Sequence, residues 1–192
     1  MIRAKLHEKG RELMAKFGIR KTSVEDITKA ASISKGAFYL FFNSKEELFL
    51  EILEDLDTEI REELWKGLSA KDANPRSQFM QAFHNVLSVM EKTPEITKFS
   101  GEDYQYLIRK LPPELSEEYM KKDEDVIGNF IAQLKREGKI RRGVDLEVAI
   151  GLFRAIAMLI LQKEEVGLRV FNQVFDMFME RAIDYLVEDT KG

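Results

Sequence analysis

The chain has 192 residues, 44% apolar and 33% charged, which suits one or two small domains with a real core and excludes a disordered chain. It contains no cysteine, which excludes a disulfide framework and any thiolate metal site. The net charge of −4 is unevenly spread: residues 1–45 carry +6 and residues 46–192 carry −10, so the first quarter is expected to meet a polyanion.

Residues 2–17 are predicted to form a helix, because Ile2, Leu6, Leu13, Met14 and Phe17 fall on one face. Gly10 interrupts that face, which costs about 1 kcal/mol relative to Ala and points to the close approach of a neighbouring helix. Gly18 ends the helix. A second helix opens at Ser23, where Ser23-Val24-Glu25-Asp26 sets a capping hydroxyl three residues before a carboxylate. It runs to Ala31. Ser32-Ile33 make a tight turn with Ile33 plugging the core, and Ser34 caps the next helix. Two short helices joined by such a turn form a helix-turn-helix, which sets its second helix in a DNA major groove. Residues 34–45 are therefore read as the recognition helix, with Phe38 and Phe42 in the core.

Ser44-Lys45-Glu46-Glu47 is predicted to be a full capping box opening a long fourth helix. Leu48, Phe49, Ile52, Leu53, Leu56, Ile60, Leu64 and Leu68 continue it at threes and fours for a length on the order of 35 Å. It starts in the basic part and ends in the acidic part, and can carry a displacement between them. Ser69–Pro75 is linker-like. From Arg76 the pattern is helical throughout: Phe79–Met90, a short piece with Ile96 and Phe99, Tyr104–Leu111, a long helix from Tyr119 to Gly138, Leu146–Lys163 and Leu168–Val187. No strand-like alternation and no internal repeat is seen. The run Val148–Leu161 is apolar nearly all round, so it must be covered on all sides, and with the final helix it supplies more apolar face than one subunit can bury; Arg154 inside it must be paired, with an acid on a neighbouring helix or with an acidic ligand. At 14 residues that run is too short to span a membrane, and Met1-Ile2-Arg3-Ala4-Lys5 lacks the apolar core of a signal peptide. A cytoplasmic protein with no membrane partner is expected.

Thr22-Ser23-Val24-x-x-Ile27, followed by Ala31-Ser32-Ile33-Ser34-Lys35-Gly36-x-x-Tyr39-x-x-Phe42-x-Ser44-Lys45-Glu46-x-Leu48-Phe49, resembles the N-terminal domain of the TetR family of bacterial transcriptional regulators. The likeness covers roughly the first 50 residues. The family's usual turn Gly is Ser32 here, its usual Thr after the recognition-helix Gly is Ala37, and its polar or aromatic pair after the Tyr is Leu40-Phe41. The resemblance implies an all-α protein with an N-terminal helix-turn-helix domain at 1–46 and a helical effector-binding and dimerisation domain at 47–192. It also implies phosphate contacts by Tyr39 and Lys45, and a homodimer formed through the last two helices on a palindromic operator of double-stranded DNA. A repressor is the family's usual role.

The residues themselves distribute the DNA contacts. Thr22, Ser23 and Ser34 offer hydroxyls, and Gly36 allows close backbone approach. Lys35 is the one long polar side chain at the start of the recognition helix, suited to guanine. Ala37 and Leu40 offer only apolar contact, for example to a thymine methyl; Leu40 packing within its own domain is an equal reading. Phe79, Phe83, Met90, Phe99, Tyr104, Leu107, Tyr119, Phe130, Phe153 and Arg154 are candidate lining for a small, apolar or amphipathic effector. An ordinary core accounts for the same rings. His84 is expected at the surface or satisfied by a neighbour. No phosphate loop, metal spacing or nucleophile motif is present, so neither an enzyme nor a cofactor is expected. A helical module for a lipid or protein partner, with secondary DNA binding, is the remaining alternative.

Overall fold

A computed structural model of the protein describes residues 1–70, 74–93 and 101–187, apart from the side chains of residues 101, 122–127 and 161. Among these residues all regular structure is helical: α1 (Ile2–Phe17), α2 (Val24–Ala31), α3 (Lys35–Phe38), α4 (Lys45–Leu68), α5 (Pro75–Lys92), α6 (Gly101–Lys110), α7 (Pro113–Arg136), α8 (Leu146–Leu161), α9 (Lys163–Val166) and α10 (Phe171–Leu186). The expected piece at Ile96 and Phe99 lies outside the described residues. No described helix is long and apolar enough to cross a membrane.

The chain forms two compact units, one of residues 1–62 with 88–116 and one of residues 63–87 with 117–192. The first unit packs Leu6, Met14, Ile19, Ile27, Phe38, Leu48, Phe49, Ile52 and Leu56 into a closed core. Gly10 is buried there, and a Cβ on it would stand 2.9 Å from Leu48 Cδ2, so its missing side chain does allow the close approach of α4. Two ion pairs, Arg3 with Glu51 and Arg11 with Glu59, and between them the His7 ring 3.1 Å from the Asp55 carboxylate, link successive turns of α1 and α4 along the rim of that contact.

The second unit is built around rings. Trp65 packs edge-on to Phe130 at 5.1 Å between centroids, Phe130 to Phe153 at 5.5 Å, Phe153 to Phe83 at 5.3 Å and Phe83 to Phe79 at 6.5 Å. Gly67 lets α4 and α5 touch backbone to backbone, since a Cβ there would lie 2.2 Å from Ala82 Cα. At the end of α7, Gly138 sits at φ 69°, with its N–H on Lys135 O and the Lys139 N–H on Leu134 O. This is a Schellman cap with glycine at its left-handed position.

α8 and α10 pack against each other. As expected for helices with more apolar face than one chain buries, Leu146, Val148 and Met158 of α8 stay exposed, as do Val174, Met177 and Phe178 of α10. Arg154 shares that open face, being exposed four residues from Met158. The expectation of an internal ion pair is thereby corrected. Within the single chain the guanidinium is exposed, so it needs no buried partner there. The final helix begins at Phe171, later than the expected Leu168, because Gly167 at φ 99° breaks the chain after α9.

Candidate nucleic-acid interface

Local signals build the helix-turn-helix. Ser23 Oγ accepts from the Asp26 N–H at 3.1 Å, and the Asp26 carboxylate accepts from the Ser23 N–H at 2.9 Å, so the reciprocal box is complete. The Ser23 hydroxyl and N–H hold the Asp26 carboxyl below the usual carboxylate range against desolvation, with lesser contributions from the Lys29 and Lys45 charges. α2 ends in a Schellman cap like that of α7: Ile33 N–H reaches Thr28 O at 2.9 Å and Ser32 N–H reaches Lys29 O at 3.1 Å. Here the left-handed residue is Ser32, at φ 55°. Ser34 Oγ then accepts from the Ala37 N–H at 3.2 Å, starting α3 two residues after the cap.

α3 is shorter than the expected recognition helix. Its regular part is four residues, and Tyr39 to Phe41 continue as turn, because the Phe41 N–H bonds Phe38 O at 3.0 Å and tightens the last turn. Phe38 and Phe42 are buried and in contact at 5.7 Å between centroids, which fixes the segment to its domain. Between and before these anchors the side chains face outward. Ser23, Ser34, Lys35 and Gly36 are exposed and Ala37 is half-buried. Tyr39 is 50%, Leu40 80% and Phe41 39% exposed. Exposure of Phe41 escapes sequence reasoning, since an aromatic beside Phe42 reads as core.

Two expected contact residues turn inward. Thr22 is buried, and its hydroxyl donates to Gly18 O at 2.9 Å. Lys45 donates from Nζ to Ile19 O at 2.9 Å and Thr22 O at 2.7 Å, so its ammonium fastens the α1–α2 turn. Burial lowers the Lys45 pKa, opposed by the charges of Glu46 and Asp26. The Lys45 ammonium also lies 5.6 Å from the centre of the Tyr106 ring. Tyr106 OH donates to Glu46 Oε1 at 2.7 Å, and burial followed by that carboxylate pushes its phenol up to about 12. Arg20 pairs with Asp103 at 2.9 Å and Glu102 at 3.2 Å. α6 is thus bound to the α1–α2 turn by charged groups that no local pattern announces. The α4 box is also looser than expected: Ser44 Oγ accepts from the Glu47 N–H, but the Glu47 carboxylate accepts from the Asn43 N–H and amide.

Of the candidate effector-lining residues, Phe79, Phe83, Phe130 and Phe153 are brought together in the ring column of the second unit. Tyr119 and Arg154 belong to the same unit, whereas Met90, Tyr104 and Leu107 belong to the first. Phe99 lies outside the described residues. His84, exposed, meets Asp176 at 2.8 Å. An open cleft of about 380 Å³ in the first unit is lined by Arg20, Glu102, Gln105, Tyr106 and Arg109, none of them foreseen as lining.

A short capped helix, a tight turn and a second helix presenting donors outward from a basic domain define a helix-turn-helix DNA-binding domain. Residues 6–52 match the family described as bacterial regulatory proteins, tetR family. The chain is 40% identical over 80 residues to the HTH-type transcriptional regulator YuxN of Bacillus subtilis, covering 40% of this chain and 27% of that protein. It is 27% identical over 90 residues to the transcriptional repressor DhaR of a Mycobacterium species, covering 47% of this chain and 46% of the repressor. The chain therefore spans less than half the length of these two curated relatives. The likeness in fold is broader: the transcriptional regulator FadR of Bacillus subtilis, solved in complex with stearoyl-CoA, superposes with a TM-score of 0.68 at 14% identity over 95% of this chain and 98% of that one.

Proposed function

We propose that the protein is a ligand-responsive transcriptional regulator, acting as a repressor, that binds a palindromic operator as a homodimer. The observation that carries this reading is the outward set Ser34, Lys35, Gly36 and Tyr39, held by two buried phenylalanines in a domain whose first 45 residues carry +6. Lys35 reads bases, Tyr39 and Ser23 grip phosphates, and Gly36 admits the backbone. Lys45 and Thr22 support the interface from behind by fixing the turn before α2. In this division residues 1–46 read DNA, and residues 47–192 respond to effector and dimerise.

The exposed apolar side chains of α8 and α10 support a dimer through the last two helices, because a monomer leaves them in water. Two recognition helices then meet successive major grooves about 34–36 Å apart. A small apolar or amphipathic effector filling the helical body shifts α4 and changes that spacing. It releases DNA only by binding the non-DNA-binding state better. Acyl-CoA thioesters are the first probes to try, since a regulator of the same fold was solved with stearoyl-CoA. Selection of bound duplexes from random DNA, followed by gel shift at physiological salt, tests the reading. One enriched palindrome bound by two chains supports it, and the absence of any enriched sequence refutes it.

A further inference from the structure

Resting on the operator reading above, we propose that Leu40 and Phe41 read thymine methyl groups in the major groove, so that each operator half-site carries a thymine whose C5-methyl is required for full affinity. Three consecutive large side chains, Tyr39, Leu40 and Phe41, stand exposed between the buried Phe38 and Phe42. Leu40 is 80% exposed, the most open large apolar side chain among the described residues of the first unit after Met1. That fact decides between the two readings of its sequence: Leu40 does not pack within its own domain. Its place and chemistry indicate what covers it. It directly follows Tyr39 and lies on the segment that begins with the exposed Ser34, Lys35 and Gly36, so it extends the surface assigned to DNA. The first 45 residues, which carry this segment, hold a charge of +6, which suits a duplex and disfavours a second copy of the same basic surface in the same place.

Neither leucine nor phenylalanine donates or accepts a hydrogen bond, so neither can pair with the polar edge of a base. The major-groove edge offers one apolar group, the C5-methyl of thymine. Water leaves both partners when they meet, so the contact is favourable without any hydrogen-bond geometry. Lys35, at the start of α3, has the opposite chemistry and suits guanine. The two ends of one short segment thus specify a guanine and a thymine in each half-site.

The test uses the full-length protein and the palindrome enriched from random DNA. Each thymine is replaced in turn by deoxyuridine, which removes the methyl and nothing else on the groove edge. Affinity is measured by fluorescence anisotropy for the wild type and for Leu40→Ala and Phe41→Ala. The wild type is expected to lose about fourfold per half-site at one or two thymine positions, the scale of burying one methyl-sized group. Leu40→Ala is expected to bind the natural palindrome more weakly and to show no further loss on those deoxyuridine duplexes. Circular dichroism at the same concentrations confirms that the variants are folded. An enriched palindrome bound equally well with uracil at every position overturns the proposal and leaves the operator reading intact. So does a methyl effect of the same size in both variants. Failure to enrich any sequence overturns both.

Discussion

Two helices of this protein end in the same Schellman geometry, one with glycine and one without. Gly138 closes α7 in the ring-packed second unit, and Ser32 closes α2 in the first unit at φ 55°. The contrast extends to the units around them. The second unit is held by contacts that depend on shape: a column of five rings and a backbone contact at Gly67. The first is pinned at its α1–α2 turn by Lys45 on the carbonyls of Ile19 and Thr22 and by two serine caps within 12 residues, whereas the main-chain contacts of the second, Lys135 on Val144 O and Arg141 on Tyr185 O, lie at its helix ends. The lesson is that the most sensitive positions differ in kind: added volume at Gly67 in the second unit, a lost polar partner at Lys45 in the first.

The largest effect is expected at Gly67→Ala. The new Cβ meets Ala82 backbone, which cannot rotate away, so overpacking of about 3 kcal/mol outweighs a helix-propensity gain of about 1 kcal/mol. Urea unfolding should show a clear fall in midpoint. An unchanged midpoint would mean that α4 and α5 are not in backbone contact. Next is Lys45→Met, which keeps the apolar stem and removes the ammonium from the carbonyls of the α1–α2 turn. A loss of about 2 kcal/mol is expected by the same measurement, together with weaker DNA binding on all sequences.

Tyr106→Phe should cost about 1 kcal/mol near neutral pH, through the lost bond to Glu46. Its pH dependence has a definite sign. Tyr106 is raised in the folded state to about 12, so the stability it contributes is fully present below its ordinary value near 10 and is lost as pH rises towards 12. The gap between wild type and Tyr106→Phe should therefore narrow over that range. A constant gap would contradict the environment assigned to the phenol. Smallest is a gain: Ser32→Gly relieves a left-handed residue and should add about 0.5–1 kcal/mol, raising the melting temperature without altering DNA affinity.

These residues also mark what the sequence could reveal. The α2 box was legible because Ser23 and Asp26 are three residues apart and need no third partner. Gly10 was legible as a packing glycine, because a gap on an apolar face has few other uses. The Lys45 contacts were not, because its carbonyl partners lie 23 to 26 residues back and main-chain acceptors carry no residue signature. The helix pattern of α8 is legible and its apolar excess points beyond the single chain, but periodicity cannot say which side of it Arg154 faces, and the structure places Arg154 on the open one. Leu40 and Phe41 sit between two buried rings, and only the early end of α3 turns them outward.

The central claim is that α3 reads DNA sequence, and one comparison tests it most directly. Wild type, Lys35→Ala and Tyr39→Phe are titrated by fluorescence anisotropy against the enriched palindrome and a scrambled duplex at two salt concentrations. Tyr39→Phe should weaken both duplexes about equally, as loss of a phosphate contact requires. Lys35→Ala should weaken the palindrome by about tenfold or more and leave the scrambled duplex affected only slightly. If Lys35→Ala weakens the two duplexes equally, α3 contributes charge alone and the account of sequence reading is wrong.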